Sequence, residues 1–258
     1  ENGFKKCFTH TALGCAKADL KMKLTDPVTM SKLAQGNNLY LWNPTQLEQF
    51  DQNIFDPRTP ALTAQNVTEG GRKAAWFIDI NGLSCVLKFY QRGGLAAYLN
   101  RSNYFWLGQA RARSFHECTV MRKLQQLGLP IPDVVAAACW RHHGMLYRAA
   151  LITKRIEGAI PLARSTDPED WFNAGRVVRS MHQLEVWHAD LNVFNILLDT
   201  DRKVWLIDFD RARINLISRA EKDQNIARLQ RSVKKVLHFQ ADEFWLHFVW
   251  GYSGISRD

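Results

Sequence analysis

The segment His188-Ala189-Asp190-Leu191-Asn192-Val193-Phe194-Asn195, followed by Asp208-Phe209-Asp210, holds the residue types that phosphoryl transfer requires. A phosphoryl group moves with little covalent help from protein. The transfer needs a carboxylate to orient the attacking hydroxyl, and oxygen donors for magnesium beside the nucleotide. Asp190 is the candidate base or hydroxyl-orienting group, and Asn195 and Asp208 are candidate ligands for Mg²⁺. Five positions separate Asp190 from Asn195, and thirteen separate Asn195 from Asp208. Asn195 opens a short apolar strand, Asn195 to Asp199, and Asp208 closes its partner, Val204 to Ile207, across a turn at Thr200-Asp201. A hairpin of that length returns Asp208 beside Asn195, so both can reach one ion. A lone His-x-Asp or Asp-Phe-Asp is more often a turn cap or a surface carboxylate, and it is the joint spacing that argues against that reading. His188 reads as a structural hydrogen-bonding residue rather than an acid or base.

The elements that position these residues follow from hydrophobic period and turn chemistry. Ala75 to Ile80 and Ser84 to Tyr90 read as strands joined by Asn81-Gly82, a strong hairpin signal. Glu69-Gly70-Gly71-Arg72 reads as a tight turn at one end of that sheet, because paired glycines permit positive φ. Gln109 to Leu127 reads as a helix with Phe115, Cys118, Met121, Leu124 and Leu127 on one face, stopped by Gly128 and Pro130. Strand character returns at Ala150 to Thr153. Asp170 to Leu184 and Arg219 to Phe239 read as helices, and Phe244 to Trp250 is a short aromatic C-terminal segment. A small sheet with one helix, then a helical half carrying two short strands, implies two lobes with a cleft between them.

Composition bounds the partners. The 258 residues, 46% apolar and 23% charged, suit one large domain or two small lobes with a real core. A net charge of +9 favours an anionic partner, among which nucleic acid, anionic lipid and a phosphorylated glycan all qualify, while simple solubility explains it as well. The five cysteines are odd in number and widely spaced, with no CxxC pair, which argues against a disulfide framework or structural zinc and for reduced thiols. No apolar run approaches the ~18–20 residues of a membrane span, and the first residues do not read as a secretory signal. Because the chain starts at Glu1 rather than Met, residues 1–30 carry no functional argument.

The spacing of Asp190, Asn195 and Asp208 resembles the catalytic-loop and metal-binding motifs of the protein-kinase-like superfamily. The resemblance implies an α+β bilobal fold: an extension over 1–37, partly non-native if the start is a remnant, a sheet lobe over 38–157 and a mainly helical lobe over 158–258. It implies ATP in the cleft with Mg²⁺, and Lys88 of Cys85-Val86-Leu87-Lys88 as the strand lysine on the α- and β-phosphates, with Glu117 as its helix partner. The residues support that pair independently. Glu117 lies four before Met121 and seven before Leu124, near the apolar face, where a buried carboxylate is costly without a cation. Gly70-Gly71 would cover the phosphates through backbone N–H groups, although the full GxGxxG pattern is missing. Val86 and Leu197 match the positions that sandwich adenine, and Thr153 to Glu157 match the hinge.

Asp-Leu-Asn-x-x-Asn, Asp-Phe-Asp and the basic helix that follows narrow the resemblance to bacterial lipopolysaccharide kinases, above all the 3-deoxy-D-manno-octulosonic acid (Kdo) kinases, over roughly Asn37 to Trp250. Ala189 and Asp210 replace the Arg and Gly of protein kinases, and no Ala-Pro-Glu segment follows. The resemblance implies phosphorylation of the 4-hydroxyl of Kdo on a lipid A precursor. The enzyme would be peripheral at the cytoplasmic face of the bacterial inner membrane, with glycolipid and anionic lipid rather than nucleic acid as partners; oligomeric state stays open. From Arg92 to Lys123 six basic residues face Glu117 alone, interleaved with Tyr98, Tyr104, Phe105 and Trp106. That stretch suits a lipid headgroup interface, nucleic-acid stacking, or aromatics packed under a helix with solvated charges. The arginines from Arg228 to Lys235 suit either a substrate phosphate or carboxylate, or a solvated face. A heptose kinase of the lipopolysaccharide core and other small-molecule kinases are rival readings. The basic charge disfavours a cationic aminoglycoside as acceptor. A non-catalytic pseudokinase is the rival from another class, and the intact Lys88, Asp190, Asn195 and Asp208 set argues against it.

Overall fold

The structure, a computed structural model, describes residues 29–67, 75–91, 103–142 and 145–255. Strands β1 (Ser31–Gln35), β2 (Asn38–Trp42), β3 (Gln65–Asn66), β4 (Ala75–Ile80), β5 (Leu83–Phe89) and β6 (Tyr104–Phe105) precede helix α1 (Arg113–Gln126), and β7 (Val134–His142) and β8 (Leu146–Lys154) follow it. The described residues join these strands into one antiparallel eight-stranded sheet in the order β1-β2-β7-β8-β5-β4-β3, with β6 paired to the start of β8. The β4–β5 turn is tight because Asn81 and Gly82 take φ of 52° and 84°, and Asp79 Oδ1 accepts from the Gly82 N–H at 2.7 Å.

Two cores flank this sheet. Tyr40, Ile78, Ile80, Leu87, Ala136, Ala138 and Ile152 bury one face beneath Leu47, Ile54 and Phe55, which arrive from the connection between β2 and β3. Ala137, Cys139, Ala149 and Leu151 bury the other face beneath Phe115, Cys118, Met121 and Leu124 of α1. The alternation along β7 therefore sends small side chains to both faces. At the head of α1, the Ser114 hydroxyl donates to the Ala138 carbonyl at 2.8 Å.

The sheet begins at Ser31, upstream of the 37/38 boundary that the sequence places on the lobe, because β1 pairs with β2 along its full length. β7 escapes the sequence reading altogether. The helix foreseen from Gln109 is a 3-10 turn over Gln109–Arg111 and then α1, since Ala112 takes an extended conformation with ψ of 128°.

The second half carries β9 (Ile160–Pro161), α2 (Pro168–Gln183), β10 (Val186–Trp187), β11 (Ile196–Leu198), β12 (Val204–Leu206), β13 (Arg213–Ile214), α3 (Arg219–Leu237) and α4 (Ala241–Ser253). α2 starts where Asp167 Oδ1 accepts from the Glu169 N–H at 2.9 Å and Pro168 presets the first turn. α3 starts with a reciprocal capping box between Ser218 and Glu221. α2 and α4 pack backbone to backbone. A Cβ on Gly175 would lie 2.1 Å from the Phe248 carbonyl oxygen, and one on Gly251 would lie 1.9 Å from that of Phe172. That contact fixes a rigid floor under the β11–β12 hairpin, whose register Ile196↔Leu206 returns the chain to Asp208. None of the described helices is long and apolar enough to cross a membrane.

Candidate active site

A cleft of about 730 Å³ opens between the two halves, a size suited to a small-molecule ligand. Its walls include Phe77, Val86, Lys88 and Leu151 from the sheet, and Leu197, Ile207 and Asp208 from the helical half. Thr153, Lys154, Arg155 and Ile156 also line it, where β8 leaves the sheet. Val86 and Leu197, named from sequence as the adenine sandwich, thus lie on opposite walls of one cavity. The Arg155 guanidinium, 3.8 Å from the ring centroid of Phe77, covers that wall; it lies in the Thr153 to Glu157 segment matched to the hinge, but its contact with Phe77 was not foreseen.

Lys88 projects from β5 into the cleft and meets two carboxylates. Its Nζ lies 2.9 and 3.1 Å from the Glu117 oxygens and 2.8 Å from Asp208 Oδ1. Burial alone would push the ammonium down, but the Glu117 and Asp208 charges and their hydrogen bonds outweigh it, and the Lys88 pKa is raised. Glu117 is only 2% exposed on α1, so it requires a cation there. The Tyr90 hydroxyl donates to its Oε2 at 2.5 Å. Burial first, then the Glu117 charge, holds the Tyr90 phenol well above its ordinary range, so it stays a donor.

A second link ties α1 to the Asp-Phe-Asp triplet. Arg113 Nε donates to Asp210 Oδ1 at 2.9 Å, and its Nη1 donates to the Tyr104 hydroxyl at 2.5 Å. Asp208 adopts φ of 67°, a left-handed conformation that aspartate tolerates better than most residues. Sequence reading missed both Arg113 and Tyr90, because neither belongs to a local pattern.

The loop carrying Asp190 is held from below. His188 is fully buried, with Nδ1 accepting from the Asp190 N–H at 3.1 Å and Nε2 donating to the Ile207 carbonyl at 3.1 Å. Burial lowers its pKa, and the ring is neutral. It thus joins the residue before Asp208 to Asp190, the structural role read from sequence. Asn225 of α3 clamps the same peptide: Oδ1 accepts from the His188 N–H at 3.1 Å, and Nδ2 donates to its carbonyl at 2.9 Å. Behind it, His182 and the Tyr252 hydroxyl continue the chain of hydrogen bonds at 3.3 and 2.7 Å.

Asn195 is buried, and its Nδ2 donates to the Asp190 carbonyl at 2.8 Å. The Ile207 N–H donates to the Asn195 carbonyl at 3.0 Å, which sets Asn195 beside Asp208. Asp190 is the exposed member, at 55%, and its Oδ1 accepts from Arg228 Nη1 at 2.9 Å. Lys88, Glu117 and Asp208 therefore form one charge cluster, while Asp190 and Asn195 join it through the backbone at Ile207. Gly70 and Gly71, the candidate phosphate loop, lie outside the described residues, as do Arg92, Tyr98 and Arg101.

The three cysteines among the described residues do not line this cleft. Cys85, Cys118 and Cys139 are buried, and burial pushes each thiol up to about 12.

Residues 59–252 match the model of the Lipopolysaccharide kinase (Kdo/WaaP) family. A 3-deoxy-D-manno-octulosonic acid kinase from Xylella fastidiosa (strain M23) is 40% identical over 200 residues, covering 76% of this chain and 80% of that protein. One from Xanthomonas campestris pv. campestris (strain B100) is 38% identical over 216 residues, covering 82% and 86%. One from Stenotrophomonas maltophilia (strain K279a) is 39% identical over 215 residues, with the same coverage. A solved structure of WaaP in complex with acyl carrier protein aligns at a TM-score of 0.48 and 17% identity, over 80% of this chain and 86% of that one, too remote to bear on the site.

Proposed function

The chain belongs to the lipopolysaccharide kinase (Kdo/WaaP) family, and from that premise we propose that it transfers the γ-phosphoryl group of ATP to the 4-hydroxyl of Kdo on a lipid A precursor. The observation that carries the reading is the meeting of Lys88, Glu117 and Asp208 in a cleft whose hairpin also anchors Asn195 and Asp190. Adenine lies between Val86 and Leu197. Lys88, positioned by Glu117, holds the α- and β-phosphates. Asp190 orients the acceptor hydroxyl and takes its proton. The hydroxyl oxygen then forms a bond to the γ-phosphorus, the bond from that phosphorus to the β,γ-bridging oxygen breaks, and ADP leaves with the electron pair. Lys88 offsets the charge that gathers on the phosphates, and the neutral His188 keeps Asp190 in place.

Asn195 and Asp208 fit a magnesium ion. One amide oxygen and one carboxylate are hard donors, and Mg²⁺ takes few protein ligands and fills the rest with phosphate and water. The Asn195 amide nitrogen is committed to the Asp190 carbonyl, which leaves its oxygen as the end able to ligate a cation. When bound, the ion supplies charge neutralisation for the β- and γ-phosphates.

The acceptor's setting places the enzyme at the cytoplasmic face of the inner membrane. The net charge of +9 supports that placement. So do Phe105, Leu107 and Met145, which are 63%, 65% and 64% exposed and are drawn together by the Trp106 N–H to Met145 carbonyl bond of 2.7 Å.

The test is incubation with Mg-ATP and a Kdo-lipid A acceptor, followed by mass spectrometry. One added phosphate is expected with the wild type and none with Asp190→Ala, while calorimetry shows ATP still binding to the variant. Transfer to heptose and not to Kdo would move the acceptor elsewhere in the lipopolysaccharide core. Full turnover by Asp190→Ala would remove Asp190 from the mechanism.

A further inference from the structure

We infer that Arg228 is the residue that selects an acidic sugar, by leaving Asp190 for the acceptor's carboxylate. This rests on the kinase reading above and deepens it. Three residues of α3, spaced by three and four, touch the catalytic loop in order. Asn225 clamps the His188 peptide, Arg228 donates to Asp190, and Ser232 Oγ accepts from the Val193 N–H at 2.8 Å. The outer two contacts fix the backbone of Arg228 relative to the hydroxyl-orienting carboxylate, so its guanidinium acts from a set position.

The pair that Arg228 makes is nevertheless loose. The two side chains are 49% and 55% exposed. An ion pair that open to water contributes only about 0–1 kcal/mol, so a competing anion can displace it at little cost. Among the described residues Asp190 is the one hydrogen-bond partner of this guanidinium, met through Nη1 alone, which leaves the other donors of the fork for a ligand. Arg231 and Lys235 lie at i+3 and i+7 on the same helix, both exposed, and add positive charge along that side.

A guanidinium on Asp190 also opposes its task, because it occupies an oxygen that must meet the acceptor hydroxyl. An acceptor that brings its own carboxylate resolves both difficulties. The planar fork of arginine pairs with a carboxylate through two parallel bonds, which the Asp190 contact does not offer. Binding of the acid therefore orients the acceptor and frees Asp190 in one event. The relatives in the family are named for such an acid, 3-deoxy-D-manno-octulosonic acid. A neutral sugar lacks the group that draws Arg228 away.

Steady-state transfer from Mg-ATP tests this with wild type and Arg228→Gln on two acceptors, a Kdo glycoside and the same glycoside as its carboxyl methyl ester. Wild type is expected to lose about 30-fold in kcat/KM on the ester, mostly in KM, the size of one charge-assisted bond. Arg228→Gln is expected to lose about the same factor on the acid and to treat acid and ester alike within about twofold, with an unchanged KM for ATP and an unchanged melting temperature. An equal loss on both acceptors, leaving the acid-to-ester ratio at its wild-type value, would overturn the inference and leave Arg228 acting on Asp190 alone. Failure of the wild type to phosphorylate the acid would instead remove the proposed function, and the carboxylate role with it.

Discussion

Glu117 and Asp190 are carboxylates on different halves of the molecule, each held by a cation, and their surroundings differ sharply. Glu117 is 2% exposed, receives Lys88 and Tyr90, and lies beneath an intact sheet. Asp190 is 55% exposed and receives a single donor from Arg228. The first carboxylate has no alternative partner in water, so its pair is part of the architecture. The second trades partners readily, so its pair is a resting arrangement. In the proposed function, the sheet lobe thus fixes the groups assigned to the nucleotide, and the helical lobe leaves open the group assigned to the incoming hydroxyl.

The sharpest way to break this contrast is Lys88→Met. It strands Glu117 as a buried carboxylate with only a neutral phenol beside it, a change that costs about 3–5 kcal/mol when the partner of a buried pair is removed. Urea unfolding at neutral pH should show a loss of that size, against under about 1 kcal/mol for Arg228→Gln. Equal losses would mean that both pairs are screened alike, and the distinction between a fixed and an exchangeable carboxylate would collapse.

The sequence disclosed the residues of this contrast better than their surroundings. Lys88, Glu117, Asn195 and Asp208 converge because strand and helix periods put them on predictable faces and a short hairpin leaves few ways to return the chain. β7 stayed hidden because Val134 to Cys139 is a continuous apolar run rich in alanine, buried on both faces, and lacks the alternation that marks a half-exposed strand. β1 fell in the segment set aside as an extension. Arg113 and Asp210 are 97 residues apart, and nothing local in either stretch signals their pairing. Arg228 was visible as a charge on a basic helix, yet only the fold shows that Asn225 and Ser232 aim it at Asp190.

Arg113 offers a smaller way to sharpen the comparison. It pairs with Asp210 at intermediate burial, 21% and 14% exposed, between the two extremes. By joining α1 to the Asp-Phe-Asp triplet it keeps Glu117, Lys88 and Asp208 in register. Arg113→Met and Asp210→Asn should each lower kcat about tenfold, ~1.4 kcal/mol in the barrier, with the KM for ATP little changed. The double variant should be no slower than either single one, because both remove the same link. Additive losses would show that the two residues act separately and that α1 is held by the Lys88 cluster alone.

The smallest expected effect concerns the support beneath Asp190. His188 and His182 are buried, and burial lowers both pKa values below the ordinary 6.5. Around them lie Asp190, Asp208 and Lys88 for the first, and Lys222 and Glu185 for the second. In the unfolded chain each histidine takes up a proton near pH 6.5, while in the folded protein each resists it. The unfolded state therefore binds more protons in that window, and stability is full above pH 6.5 and declines as pH falls toward the depressed folded values. Two such groups imply a loss on the order of 1 kcal/mol between pH 7 and 6. His182→Gln should halve that slope, read from urea midpoints at a series of pH values. A slope unchanged by the substitution would mean that the exposed side of the helical lobe, and not the buried relay under the Asp190 loop, sets its response to acid.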